Sequence, residues 1–361
     1  MNLEQWFASR RIAALDLPTG GRVPRRFTDP ALEHRAVRAR AGLFDFSFMG
    51  AWDFTGPAAC AALARMQTRN LRVLPIGRIA YSLLLDDRGA VVIDATIWRL
   101  AADAYRLFTG RPSDGSRITR LCETLGTMPD DRCGTDAIIA LQGPASPTVL
   151  ARAIGRAAGE ALPYFGFIET RAGEHPVLVG RLGYSGELGY ELLVERARGP
   201  ALWALLRAAG EDAGVAECGF EAADTLRIES GYVLFSNELV AGVTPRELGL
   251  ERLVDAWHGP FVGREALRRE RSAAPTRRLA GLAFEPAGAP LYAVRRRVQP
   301  TSACISPTYG TAIGLGFVDG TAAPGDIVYA DDGRRARVCR LPFHDAPRRR
   351  PRAAPLVRTA G

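Results

Sequence analysis

Residues 181–195, RLGYSGELGYELLVE, and residues 225–239, TLRIESGYVLFSNEL, decide how this chain reads. Gly183, Gly186 and Gly189 recur every three residues. Such spacing lets the backbone turn tightly, or approach a flat ligand, while Tyr184, Glu187 and Glu191 project from it. A strand, a turn and a second strand are the predicted setting. Taken alone, the segment reads as a hairpin with a solvated glutamate at its tip.

The rest of the chain bounds the alternatives. At 361 residues the prior is two or three domains, and 47% hydrophobic with 24% charged residues reads as soluble and globular. No apolar run is long enough to span a membrane, and MNLEQWFASRR lacks a signal-peptide core, so the expected compartment is the cytoplasm. Cys60, Cys122, Cys133, Cys218, Cys304 and Cys339 form no CxxC pair. His34, His175, His258 and His344 are equally scattered, so no metal site is expected. All 47 basic residues are arginine. Without lysine there is no Schiff base and no Walker-type phosphate loop. A net charge of +8 allows an anionic partner, but the arginines are dispersed apart from the runs Arg295–Arg297 and Arg348–Arg350, and no nucleic-acid-binding motif accompanies them. An acidic small molecule suits the charge better.

Along the chain, residues 31–41 read as a helix ending at Gly42, followed by one strand through LFDFSFMGAWDFTG and a helix from Pro57 to Gln67. IAYSLLLDDRGAVVIDATIWRL reads as a hairpin turning at Asp86–Gly89, with Asp94 in an apolar second strand. An ionised carboxylate there is costly unless paired or functional. Strands and helices alternate from Ala137 with no GxGxxG, which disfavours a doubly wound nucleotide fold and favours mixed α+β layers. Beyond residue 275, short strands with frequent Gly and Pro predict a terminal β module, and the tail from His344 reads as loosely ordered.

In order, AVRARAGLFDFSFMG (36–50), GRIAYSLLLDDRGAVVID (77–94), GYSGELGYE, LRIESGYVLFSNEL, GVTPRELGLERLV (242–254), FVGREAL (261–267), TSACISPTYGTAIGLGFV (301–318) and LPF (341–343) resemble motifs of the glycine cleavage T-protein superfamily. That superfamily comprises aminomethyltransferases and tetrahydrofolate-dependent demethylases. The resemblance implies an α+β ring of three domains. Residues 1–50 with 137–242 would form a folate-binding domain and 51–136 with 243–275 a second α+β domain. Residues 276–345 would form a C-terminal β-barrel, with 346–361 a loosely ordered tail. It implies tetrahydrofolate as cofactor and one-carbon transfer to its N5. The donor would be a small molecule or a lipoyl carrier protein, with neither nucleic acid nor membrane as partner. Asp94 is the implied catalytic residue beside the reactive edge of the folate, with Tyr81 thirteen positions earlier facing the same site. Glu187 would read the pterin, Arg227 would lie next to the bound folate, and Tyr184 and Trp98 would line its pocket.

The chain departs from the family pattern on the donor side. Phe48 replaces the His of SHMG, Ile93 the first Asp of a DD pair, and Trp98 the usual Tyr. LFTGRPS (107–113) stands where the family has LVVNASN, so Gly110 and Ser113 replace two asparagines and Arg111 lies between them. Phe48, Gly110 and Arg111 are therefore the expected donor-pocket residues. These changes leave open an aminomethyl donor or a specialised O-, N- or S-demethylase. A non-catalytic folate-binding protein is a third reading, although its iron–sulfur-assembly relative carries a cysteine motif that residues 242–250 lack.

Overall fold

The structure is a computed structural model that describes residues 1–17, 20–155, 162–255, 259–270, 274–285 and 297–355. His258 and most of the Arg295–Arg297 run lie outside the described residues. Two sheets and a barrel organise it, with a two-stranded ribbon, Ala14–Asp16 with Arg22–Pro24, near the start. The first sheet has six strands in the order Phe167–Ala172, His175–Gly180, Gly189–Glu195, Asp136–Gln142, Ala41–Asp45, Val215–Glu217. The second has five, Ile79–Leu85, Val91–Ala101, Ala104–Thr109, Gly50–Thr55 and Asp130–Asp131. The barrel closes through Arg277–Phe284, Ala312–Asp319, Arg297–Ile305, Ile327–Ala330 and Arg335–Cys339. This is the mixed α+β architecture with a terminal barrel that the sequence predicts.

Alternation along each central strand sorts its side chains between two cores. In Gly189–Glu195, Tyr190, Leu192 and Val194 pack beneath helices Leu3–Ser9, Ser146–Ile154 and Gly199–Ala209. Leu193 faces the other way, toward the second sheet. In Val91–Ala101, Ile93, Ala95 and Ile97 pack under helices Ala59–Met66 and Gly115–Leu125, leaving Asp94, Thr96 and Trp98 on the opposite, inward face. Between the two sheets Phe44, Phe46, Trp98, Phe108 and Phe167 form a shared core. The two α+β units are thus joined by apolar packing as well as by the chain.

Three local expectations differ from the structure. The helix is Pro30–Ala39, capped by the Asp29 carboxylate, and Gly42 lies inside the next strand against Cys218 and Val37 rather than ending the helix. LFDFSFMGAWDFTG is not one strand. It breaks at residues 46–49 and supplies Ala41–Asp45 to the first sheet and Gly50–Thr55 to the second. Alternation cannot reveal that a chain changes sheets midway. Finally, residues 344–355 are seated against the first unit. Pro351 is buried, Arg181 donates to the carbonyls of Pro351 and Ala353, and Arg348 and Arg352 lie over the rings of Tyr232 and Tyr164.

Candidate functional site

The inward face of the second sheet carries the first element of the site. Register pairs Leu83 with Asp94 and Tyr81 with Thr96, so Tyr81 and Asp94 share a face as diagonal neighbours. The Tyr81 hydroxyl donates to Asp94 Oδ2 at 3.0 Å. Burial pushes the Asp94 carboxyl up to about 6, with the Tyr81 hydrogen bond opposing the shift. Burial likewise raises the Tyr81 phenol well above its ordinary value, with the Asp94 charge acting in the same direction. The phenol therefore remains a proton-bearing donor that orients a carboxylate poised to ionise near neutrality.

The glycine-framed loop supplies the facing wall. Side chains at Gly183 and Gly189 would overlap the Gln142 amide, which lies between them and donates to the carbonyls of Leu182 and Tyr190. At Gly186 φ is +78°, and a Cβ would overlap Ser230. The loop is thus moulded around two polar anchors, which aim Tyr184 and Glu187. The Tyr184 hydroxyl donates to the Val233 carbonyl at 2.7 Å, and its ring stacks on Tyr232 at 5.8 Å and 18°. Burial raises its phenol well above the ordinary value, and the charge of Asp94 is among the further contributions. Tyr81, Asp94 and Tyr184 therefore share one electrostatic environment.

Glu187 is not solvated. It is 3% exposed, and Arg38 Nη1 at 3.1 Å, His344 Nε2 at 2.8 Å and Arg350 Nη1 at 3.1 Å converge on its carboxylate. Arg38 comes from the first helix of the AVRARAG segment, and the other two come from the C-terminal segment. The spacing of the loop shows a glutamate at a turn. Only the fold brings two arginines and a histidine to it from sequence distances of 149, 157 and 163 residues.

Arg227 is wholly enclosed and fully committed inside the protein. Its Nε donates to Asp224 at 2.7 Å, Nη1 to Glu238 at 2.8 Å and Nη2 to Ser302 Oγ at 2.6 Å. It ties the helix Phe220–Glu229 to the barrel strand Arg297–Ile305 and to the turn that follows the helix. Trp98 is 1% exposed, its indole donating to Thr96 Oγ1, and its ring packs on Phe108, Phe167 and the bare backbone of Gly180. It belongs to the core between the sheets.

The expected donor-pocket residues divide. Phe48 packs edge-on to Phe46 and Phe220 and lines a groove with Asn2, Ser47, Pro112 and Arg196. Arg111 lines a different groove, with Asp86, Val92, Arg117 and Leu239, and its guanidinium is held by Asp114 Oδ1 at 2.7 Å and by the Val92 carbonyl. Gly110 follows Thr109, the register partner of Ala95, so it lies across from Asp94. A side chain at Gly110 would overlap the ring of Phe235, a residue whose place at the site no spacing in the sequence discloses. Among the described residues no three His, Cys, Asp or Glu side chains gather as metal ligands, and no helix is long and apolar enough to cross a membrane.

Known proteins place this geometry in a family. The family described as GCVT N-terminal domain matches residues 3–257. An aminomethyltransferase of Streptomyces avermitilis is 36% identical over 344 residues, covering 90% of this chain and 92% of that protein. An aminomethyltransferase of Symbiobacterium thermophilum is 32% identical over 360 residues, covering 94% and 96%. The crystal structure of the glycine cleavage system aminomethyltransferase T from Bartonella henselae superposes with a TM-score of 0.82 at 24% identity, covering 95% of this chain and 97% of that one, which establishes the shared fold. With its two packed α+β units, terminal barrel and family match through most of its length, the chain belongs to the glycine cleavage T-protein superfamily and is an enzyme of the transferase class.

Proposed function

We propose that the chain moves an aminomethyl or methyl group from a donor to N5 of tetrahydrofolate. The observation that carries this reading is the Tyr81–Asp94 pair, set on an inward sheet face within a T-protein fold. Tetrahydrofolate supplies the nucleophilic nitrogen, and the protein supplies placement and charge. The residues fit such a ligand. Paired tyrosine rings offer a flat apolar surface, and Asp94 offers a carboxylate whose ionisation burial makes costly, so it gains most when positive charge develops beside it. Tyr81 holds the carboxylate in one orientation.

In this reading Glu187 takes the donor edge of the pterin, and Arg350, whose side chain is 49% exposed, is the partner that yields to it. Arg38, only 9% exposed, stays paired with the carboxylate. Arg227 acts at one remove by fixing the walls, and Trp98 by fixing the distance between the sheets. The cytoplasm is the proposed compartment, a reading that six unpaired cysteines support. A lipoyl carrier protein is the proposed donor for aminomethyl transfer. A specialised small-molecule demethylase is the second reading, favoured by the ring of Phe235 occupying the space a longer residue 110 would need.

Two measurements test this. Calorimetric titration with tetrahydrofolate yields saturable binding, and no binding overturns both readings. Mass analysis of the folate after incubation with aminomethyl-loaded lipoyl carrier, sarcosine, dimethylglycine and a methoxybenzoate then shows a methylene product for the first reading or a methyl product for the second.

A further inference from the structure

We infer that Phe235 is the residue that sets donor specificity, and that Gly110 and the Arg227–Glu238 pair exist to hold it beside Asp94. The inference rests on the tetrahydrofolate reading and names the donor selectivity of that same site.

The placement follows from three sets of contacts. Gly110 lies across from Asp94 at the end of the strand pair Val91–Ala101 and Ala104–Thr109, and the ring of Phe235 occupies the volume that any side chain at 110 would need. Arg111, the next residue, places its guanidinium 5.6 Å from the centre of the same ring. Phe235 therefore stands between the inward face that carries Asp94 and the groove lined by Val92, Arg111 and Arg117. The ring does not reach there by chance packing. Glu238, completely buried, accepts from the Leu234 amide at 2.8 Å, Arg227 Nη1 at 2.8 Å, Thr301 Oγ1 at 2.6 Å and Ser302 Oγ at 2.5 Å. Asn237 adds Nδ2 to Ser302 Oγ at 3.0 Å and its amide to the Leu234 carbonyl at 2.9 Å. The turn 234–238 is thus fixed to the barrel through Asn237 and Glu238, which also bond Leu234 on the other side of Phe235, so the backbone that carries the ring is held in place.

The chemical consequence is steric and dielectric. A phenyl ring, which offers no hydrogen bond, fills the space beside Asp94, so this side of the pocket accepts a small group bearing the one-carbon unit and excludes a bulky one. Removing the ring opens a volume that larger donors can use. Adding a side chain at 110 forces the ring aside, and trimming the ring relieves that conflict, so the two positions are energetically coupled.

The test uses the full-length protein, its Phe235→Ala, Gly110→Asn and doubly substituted forms, tetrahydrofolate calorimetry, and transfer from aminomethyl-loaded lipoyl carrier, sarcosine, dimethylglycine and a methoxybenzoate. Tetrahydrofolate binding to Phe235→Ala stays within about threefold of the parent, while its kcat/KM for the bulkiest donors rises about tenfold or more relative to the smallest, the scale of reshaping an apolar pocket. Gly110→Asn alone loses about tenfold or more in turnover, and Phe235→Ala in the same chain recovers most of it. Thermal melts of all four proteins identify a variant that fails to fold, and Phe235→Leu then carries the same comparison. Intact tetrahydrofolate binding and parent turnover with an unchanged donor order overturn this inference alone, whereas intact binding with no donor turned over by either protein overturns the transfer reading as well. Absent tetrahydrofolate binding in the parent overturns the reading beneath it.

Discussion

Asp94, the proposed catalytic residue, links stability to the proposed chemistry. Burial raises its carboxyl from 3.8 to about 6, so the folded protein binds that proton more tightly than the unfolded chain does. The stabilisation from the proton is complete below the unfolded value and is lost as pH rises through the folded one. At neutral pH Asp94 is therefore held ionised against the fold. Asp94→Asn should raise stability at pH 7.5 by roughly 1–3 kcal/mol while cutting turnover by at least about a hundredfold. Thermal melts and initial rates check both, and an unchanged rate would leave Asp94 a structural acid. With the ionised form acting in the proposed transfer, kcat/KM should fall as pH drops below about 6, and Tyr81→Phe, by removing the opposing hydrogen bond, should move that acid limb to higher pH.

Glu191 is the second residue of this kind. It is 8% exposed, with no ion pair or side-chain hydrogen bond among the described residues, and burial pushes its carboxyl from 4.5 up to about 7. The sign is the same: its contribution is present at low pH and lost through the window from 4.5 to about 7. Glu191→Gln should therefore raise the melting temperature more at pH 8 than at pH 5. Equal shifts at both values would show that the carboxyl is already neutralised by a partner.

At the scale of elements, the helix Phe220–Glu229 carries the contacts that hold the barrel in place. Arg227 reaches Ser302, the Glu229 carbonyl accepts from the amides of Phe343 and His344, and Ile228 packs on Ile313 and Leu315. Breaking a buried pair strands a charge, which costs more than the pair contributes. Glu238→Ala strips the Arg227 Nη1 of its buried carboxylate, leaving Asp224 as the one carboxylate paired with it among the described residues, and should destabilise the protein by about 3–5 kcal/mol. Glu238→Ala combined with Arg227→Met should recover a large part of that loss. Urea titration of the two variants decides it, and equal losses would mean that the network contributes packing rather than charge compensation. The sequence motif LRIESGYVLFSNEL marks this element, but not that its arginine faces inward to a serine 75 residues away.

For the whole molecule, the C-terminal segment is the feature least apparent from sequence. Composition gives Pro and Arg without an apolar pattern, which reads as a loose tail. Yet residues 344–355 cross the first unit and deliver Arg350 to Glu187. If tetrahydrofolate competes for that carboxylate, Arg350→Ala should tighten its binding about twofold to fivefold, the scale of one half-exposed ion pair. Added salt should narrow the difference between variant and parent. Calorimetry at low and moderate salt measures both, and weaker binding by the variant would instead make Arg350 a ligand contact.

The features legible in the residues without the fold are local and periodic: the α+β class, the terminal barrel, the hairpin holding Tyr81 and Asp94, and the glycine-framed loop at Glu187. Those features follow from period-two alternation, turn chemistry and collinear motifs, which need no knowledge of distant residues. Tertiary structure alone decided that Glu187 is buried under Arg38, His344 and Arg350, that Arg227 turns away to Glu238, and that Phe235 fills the space above Gly110. Each of these depends on desolvated charges and close packing between segments far apart in the chain, and such contacts leave no spacing in the sequence to read.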